Sequence, residues 1–517
     1  MKDYLIGLIK SIFDAPMSYM TIKYFVLVAG ALLLYYILPK RFRWTVLLLG
    51  SGYFYYAISD NKKQMLVFAL GIAVSYVFGI LLDRAVNRKN AEGQTEDGTG
   101  EKKEGRSVKH KLLLAAGILI SSSPLLLSKC SEFLTGSLLH TKNINWIIPL
   151  GLSFYSLQII AYLVDIYRGK IRAQMNPLKY GLFVSFFPII IQGPISRYDQ
   201  LADQLFTGHR FDQKNIIRGV QLVIWGLFLK LMIADKAAVM AGTLFDGHEN
   251  FSGFYIPLAA MLYVLELYTD FMSCVTMSRG VAEMFGIHLM NNFERPFAST
   301  SVKEFWGRWH ISLSHWLRDY VYIPLGGSRK GRLRKYINLV ITFAVSGIWH
   351  GGSWKYLFWG TSQAGFQIVG DVIRKPKNRF LEKVSLPETS KIRRALAMFG
   401  TFLLFALGLI FFRADSLSDG ISMVRSAFSR FNPWILVDGS LYQLGLNQKE
   451  LWVLTTSTVL LFLVSFLQQR GIRIRDKINS QNLVIRWSIY FIAIWSIWIL
   501  GTYGFGFDAK DFIYGGF

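Results

Sequence analysis

Residues 64–82 read QMLVFALGIAVSYVFGILL, a run with no charged side chain. At about 1.5 Å of rise per residue, a helix of this length crosses the ~30 Å hydrocarbon core of a bilayer. Comparable apolar segments recur at about 22–38, 44–58, 112–127, 146–167, 216–235, 254–275, 395–413, 451–467 and 484–501. The shorter ones cross with help from local thinning or flanking residues. Composition agrees: 52% of the 517 residues are hydrophobic, 15% aromatic and only 17% charged. A soluble chain carries about 25% charge. Low charge with many aromatics excludes disorder. The net charge of +24 (57 − 33) would also suit a nucleic-acid binder, but such a protein does not carry repeated spans of this kind. The chain reads as an all-α polytopic membrane protein with no nucleic-acid partner.

Basic runs orient the spans. Segment 84–111 is rich in Lys, Arg, Gly and Glu and reads as a flexible cytoplasmic loop. Basic runs at 329–335, 374–394 and 470–477 belong on the same side, whereas the charge-balanced loop 414–450 belongs outside. These assignments agree only if 180–193 and the pair 336–349/354–372 do not cross independently. Both termini then lie outside, and residues 1–20 read as an interfacial helix with no cleavable signal peptide. Irregular backbone at membrane depth is tolerated only inside protein or beside a wet cavity, so both re-entrant pieces should line a site. Pro188 and Gly193-Pro194 mark the first as a broken helix. The second turns at Trp349-His350-Gly351-Gly352, and its limb from Tyr336 reaches roughly 20 Å, which leaves His350 within the membrane thickness.

Cys130 and Cys274 are too few for a disulfide scaffold or thiolate metal site. Of eight histidines, those at 110, 140, 209 and 248 fall in polar loops. His310 lies in KEFWGRWHISLSHWLRDYVY (303–322). There Trp306, Trp309, Leu313, Trp316, Leu317 and Tyr320 follow one face of a single helix, and Arg308, Ser312, His315 and Asp319 the other. His310 falls at the edge of the apolar face, and spacing alone leaves a structural or a functional histidine open. His350 is sharper. An intramembrane ionisable group is costly and functional by default, and a neutral imidazole suits removal of a proton from a hydroxyl nucleophile. Two histidines without Cys, Asp or Glu at ligand spacing make a poor metal site, so no metal is expected. Glu266 and Asp270 share a helix face, as a proton path or as partners of a neighbouring Lys or Arg. Lys303, Arg308 and Arg318 suit phosphate binding or headgroup anchoring.

The blocks Asn292–Phe297, Glu304–Ser314, Trp316–Tyr320, Tyr322–Gly327 and Gly347–Gly351 resemble the membrane-bound O-acyltransferase (MBOAT) family, most closely its alginate O-acetyltransferase membrane-subunit branch. Pro149–Tyr155, Tyr162–Gly169, Phe186–Pro188 and Phe411–Ala414 match as well. The resemblance runs from about residue 20 to the C-terminus. It implies a single domain over 1–517, with a catalytic core at 292–372 and a ring of about 10–11 transmembrane helices around a thin central funnel. It implies His350 as the catalytic histidine and His310 as a second essential one. Trp306, Arg308, Trp309, Ser314, Arg318 and Trp349 are the candidate substrate-binding residues. The chain departs from the family pattern at Thr276, where a second Asp is usual, at Gly307, where an Arg is common, and in its aromatic tail 512–517.

The expected function is O-acetyl transfer from cytoplasmic acetyl-CoA to an extracytoplasmic polysaccharide, directly or through a secreted or membrane-anchored acetyltransferase partner. The expected location is a bacterial-type plasma membrane. No permanently bound cofactor is expected. D-alanyl transfer to teichoic acid is the rival within the family. A transporter with Glu266, Asp270 and Lys230 on an ion path is the rival outside it.

Overall fold

The computed structural model describes residues 17–59, 61–92, 107–133 and 147–502. Most of the N-terminal interfacial segment, the centre of the 84–111 loop, His140 and the aromatic tail lie outside the described residues. Among the described residues the protein is helical, and the only β-type pairing is the bridge between Phe293 and Trp309.

The apolar segments of the sequence all become helices, of unequal length. Among the described residues six are long and apolar enough to cross a membrane: Lys62–Val86, Gln213–Asp246, Tyr255–Met284, Lys391–Arg413, Gln448–Gln469 and Leu483–Leu500. The segment expected at 112–127 is a bent pair, Val108–Ser121 and Ser123–Glu132, turned by 64°. Ile22–Ile37, Arg43–Ile58 and Leu152–Tyr167 are each 16 residues. Such a helix is about 24 Å long and short of a full crossing without tilt-free thinning or flanking help.

By contacts the chain divides into two compact units. The first holds residues 1–131, 143–220 and 278–290. Its core is aromatic, with Tyr24, Tyr35, Phe54, Phe187 and Phe285 fully or nearly fully buried. Here the broken helix expected at 180–193 is found: Pro177–Ser185 ends just before Phe186-Phe187-Pro188, and the irregular backbone that follows is buried. Side chains supply its hydrogen bonds. The Phe187 N–H donates to Ser51 Oγ (3.0 Å), its carbonyl accepts from Tyr19 (2.9 Å), and the Gln192 carbonyl accepts from Ser278 (3.3 Å). That is how non-helical backbone survives away from water. Gly151, at φ +73°, lies so close to the Ile190 carbonyl that a Cβ would collide with it.

The second unit holds 132–142, 221–277 and 291–517. Within it Arg332–His350 and Trp354–Val372, 19 residues each, form a tight helical hairpin through Gly351–Ser353. The first limb is longer than the sequence segment 336–349 suggests, because residues 332–335 form its first turn, whereas the second has the bounds 354–372 read from the sequence. Gly347 meets the Tyr356 carbonyl and Gly360 the Phe343 carbonyl, a closeness only small residues permit. At the far end Lys335 and Tyr336 both bond Asp371 (2.6 and 2.9 Å), which ties the start of one limb to the end of the other. The two limbs run back along each other, so the basic segments 332–335 and 374–377 fall at the same end of the hairpin.

Candidate functional site

The sequence pattern over 303–322 predicts one continuous helix; the structure breaks it at the histidine. Val302–Arg308 ends, His310 takes the left-handed conformation (φ +45°), and Ile311–Leu317 begins. For a non-glycine residue this costs about 1–2 kcal/mol. Asn292 holds the break. Its carbonyl accepts from the Ile311 N–H (3.0 Å) and its side-chain oxygen from the Ser312 N–H (3.1 Å), satisfying two orphan donors of the new helix. The Phe293–Trp309 bridge and the Glu294 N–H bond to the Arg308 carbonyl (2.9 Å) continue the clamp. The opposed faces expected for a single helix therefore do not form. His310 instead turns inward, 1% exposed, with its ring 4.6 Å from that of Phe271.

His350 is the last residue of the hairpin's first limb and is 3% exposed. Its ring is enclosed by Trp349, Trp359 and Phe412 at centroid distances of 4.7, 5.1 and 5.3 Å. Trp349 also lies 6.1 Å from His310, so one indole touches both imidazoles. Both histidines thus belong to one buried aromatic cluster in the second unit. The turn after His350 is fixed by Glu132, whose carboxylate accepts from the Gly352 N–H (2.7 Å). Gly351 packs against the Tyr356 ring, where a Cβ has no room. Lys355 bonds the Ala414 carbonyl (2.7 Å), anchoring the second limb beside the Phe411–Ala414 motif.

The other candidates separate. Trp306 and Trp309 are buried but play different parts. Trp306 packs toward Phe343 and Trp359 on the His350 side (5.3 and 5.9 Å), while Trp309 stacks with Phe305 and Phe405 (5.5 and 4.9 Å). Among the described residues the Trp306 indole N–H has no hydrogen-bond partner. Ser314 donates to the Trp309 carbonyl (3.3 Å). Arg308 pairs with Glu304 (2.7 Å) and Arg318 with Asp319 (2.7 Å), both partly exposed, so each guanidinium is turned to a carboxylate of its own segment. Burial raises the Glu304 carboxyl, but bonds from Thr300 and the Arg308 charge outweigh it and hold it below the ordinary carboxylate range.

Asp270 and Glu266 diverge as well. Lys230 bridges Asp270 (2.6 Å) and Asp235 (3.0 Å) in a buried triad. The π-helical segment Leu229–Ala234 brings Lys230 and Asp235 into register. Asp270 precedes Phe271, which walls His310, so the triad fixes the helix that carries that wall. Glu266 lies within electrostatic range of Arg413, itself paired with Asp246 (2.7 Å). The partner reading of the sequence, a neighbouring Lys or Arg, holds for Asp270. Among the described residues no group of three or more His, Cys, Asp or Glu is gathered to hold a metal.

Sequence reasoning missed Asn292, Glu132, Trp359 and Phe412 as parts of the site. Asn292 and Phe412 lie inside motifs that had been noticed; Glu132 carries no local signal at all.

Residues 168–385, which contain both histidines, match the family model of MBOAT, the membrane-bound O-acyltransferase family. The chain is 35% identical over 315 residues to the probable alginate O-acetylase AlgI of Azotobacter vinelandii, covering 61% of this chain and 59% of that one. It is 32% identical over 346 residues to the peptidoglycan O-acetyltransferase of Helicobacter pylori, covering 61% and 64%. It is 27% identical over 274 residues to the teichoic acid D-alanyltransferase of Bacillus subtilis, covering 49% and 66%. The chain spans less than two thirds of the length of each of these relatives. A resemblance carried first by two Trp-His pairs is matched, over residues 168–385, by the family model of the membrane-bound O-acyltransferases, and that matched stretch contains both pairs.

Proposed function

We propose that the protein is a membrane O-acyltransferase that takes an acetyl group from acetyl-CoA at the cytoplasmic face and delivers it to a hydroxyl on an extracytoplasmic polysaccharide. Delivery is direct or through a secreted or membrane-anchored partner acetyltransferase. The observation that carries this reading is the pairing of His310 and His350 on one indole, Trp349, inside the family-matched segment.

In the proposed step His350 accepts the proton of the acceptor hydroxyl as its oxygen attacks the thioester carbonyl. The carbon–sulfur bond breaks and coenzyme A leaves as the thiolate, which takes up a proton. The enclosure of His350 by Trp349, Trp359 and Phe412, which holds its ring in one place, supports this role. His310, held by the Asn292 clamp, orients the acyl group or the base. The relatives at 32–35% identity are named for different acceptors but share O-acetyl transfer, which favours acetyl over the D-alanyl group named in the relative at 27%.

The test is His350→Ala in the full chain, reconstituted in membranes with labelled acetyl-CoA and an acceptor polysaccharide. Loss of a general base is expected to lower transfer by about 10²–10⁴-fold. Transfer at the unmodified rate overturns the catalytic assignment, and solute flux without any coenzyme A requirement favours a transporter instead.

A further inference from the structure

A cavity of about 300 Å3 lies between Lys391–Arg413 and Gln448–Gln469, away from the histidines. Its floor and sides are apolar: Phe297, Met398, Leu461, Phe462 and Phe466. Phe462 and Phe466 are also exposed on the outer face of their helix, so the cavity is a groove open to the hydrocarbon of a bilayer. One end is polar, formed by Arg295, Ser465 and Gln469. The half-buried Arg295 spends one N–H on the Gln468 carbonyl (3.0 Å). Arg470 lies flat on Phe466, 4.5 Å above its ring, which brings a second guanidinium to the same end. Among the described residues no carboxylate forms an ion pair with either arginine. The polar end is the C-terminal end of Gln448–Gln469, which runs directly into the basic segment Arg470–Lys477.

Two guanidiniums without carboxylates, at the mouth of a lipid-facing apolar groove, match a phosphate that carries a hydrocarbon chain. We propose that this groove binds an anionic phospholipid of the leaflet bordering that basic segment, its phosphate between Arg295 and Arg470 and one acyl chain along Phe462 and Phe466. The volume suits the head end and the first part of one chain, with the remainder in the bilayer. Tyr268 and Phe297 close the inner side, and both rings also pack against Trp309 (5.8 and 6.4 Å). The lipid therefore lies behind the aromatic layer that precedes His310, and does not touch the histidine. The proposal does not rest on the acyl-transfer reading.

The test uses the purified full chain in detergent, with native mass spectrometry and thermal melts. The probes are phosphatidylglycerol, phosphatidylcholine, inorganic phosphate and coenzyme A. Phosphatidylglycerol is expected to be retained and to raise the melting temperature, while phosphatidylcholine and inorganic phosphate do neither. Arg470→Gln, at an exposed position that leaves folding intact, should weaken phosphatidylglycerol retention about fivefold, and Arg295→Gln with Arg470→Gln about 25-fold. Ser465→Trp, which fills the groove and keeps both charges, should abolish retention. Equal retention of phosphatidylcholine, undiminished binding by all three variants, or displacement of phosphatidylglycerol by coenzyme A overturns the proposal. The last outcome would assign the groove to a nucleotide thioester donor.

Discussion

Asn292→Ala is the sharpest probe of how His310 is placed. The sequence of 303–322 has the periodicity of one helix, and the structure spends about 1–2 kcal/mol to break it at a left-handed histidine. The side-chain oxygen of Asn292 accepts from Ser312, and its own backbone carbonyl accepts from Ile311. Alanine keeps the carbonyl and removes the side-chain oxygen, and with it the bond that the buried Ser312 N–H makes to Asn292. That costs about 1–3 kcal/mol. The cost falls on the broken form alone, because in a continuous helix the Ser312 N–H would bond the Arg308 carbonyl. The equilibrium therefore shifts by the whole amount, a factor of about 5 to 150 at 1.4 kcal/mol per decade. Transfer of labelled acetyl in reconstituted membranes should fall within that range, while the melting temperature changes little, since straightening relieves strain. Wild-type transfer by Asn292→Ala would show that the clamp does not place His310, and the argument from the broken helix would fail.

Other perturbations test the surroundings of the site. Gly347→Ala sets a methyl against the Tyr356 carbonyl at the crossing of the hairpin limbs. Overpacking of this kind costs about 1–3 kcal/mol, and a ~1 Å displacement of His350 about 10²-fold in rate, read as a fall in kcat in the acetyl-transfer assay. Lys230→Met leaves Asp235 and Asp270 facing each other without their cation, and should destabilise by about 3–5 kcal/mol in a thermal melt. Replacing all three residues by apolar ones of similar size should recover much of that loss. Asp371→Asn tests the tie between the hairpin's ends. Hydrogen bonds from Lys335 and Tyr336 hold the Asp371 carboxyl below its ordinary range. A depressed carboxylate stabilises above its unfolded pKa, and the contribution is lost as the pH falls through the folded value. The solvent-screened pair is worth less than ~1 kcal/mol, so variant and parent should differ slightly in melting temperature at neutral pH and converge as the pH falls below the ordinary carboxylate range.

Much of the fold was legible because membrane crossing is a one-dimensional constraint. Apolar runs such as 64–82 and 395–413 became long helices, and the basic flanks of 336–372 required a segment that returns to its starting side. Length was less legible than position. Arg43–Ile58 and Leu152–Tyr167 stop at 16 residues, and the bend at Ser122 falls at Ser121-Ser122-Ser123-Pro124, a polar, proline-containing interruption inside the apolar run 112–127. The start of Leu152–Tyr167 is also set by packing within the unit, through the close approach of Gly151 to the Ile190 carbonyl. The buried irregular stretch after Ser185 was visible through its prolines, but its side-chain partners, the donor Tyr19 and the acceptor Ser51, are more than a hundred residues away.

The two Trp-His pairs show where the sequence stops speaking for the site. As dipeptides, Trp309-His310 and Trp349-His350 are identical, and helical periodicity treats them alike. In the structure their geometry is opposite. His350 ends a helix, and Trp349 beside it reaches across to His310. His310 is itself the break between two helices, and Trp309 points away, into the layer of Phe305 and Phe405. One tryptophan therefore couples the histidines and the other supports them from behind. The difference originates in Asn292 and Glu132, each remote in sequence from the turn it fixes. The same remoteness hid the fate of the cations. Arg308 and Arg318 suit a phosphate by type and position, but Glu304 and Asp319 stand within four residues of them and take up their charge. Arg295 and Arg470 form no such pair among the described residues, which is why the anionic ligand proposed here is placed on them.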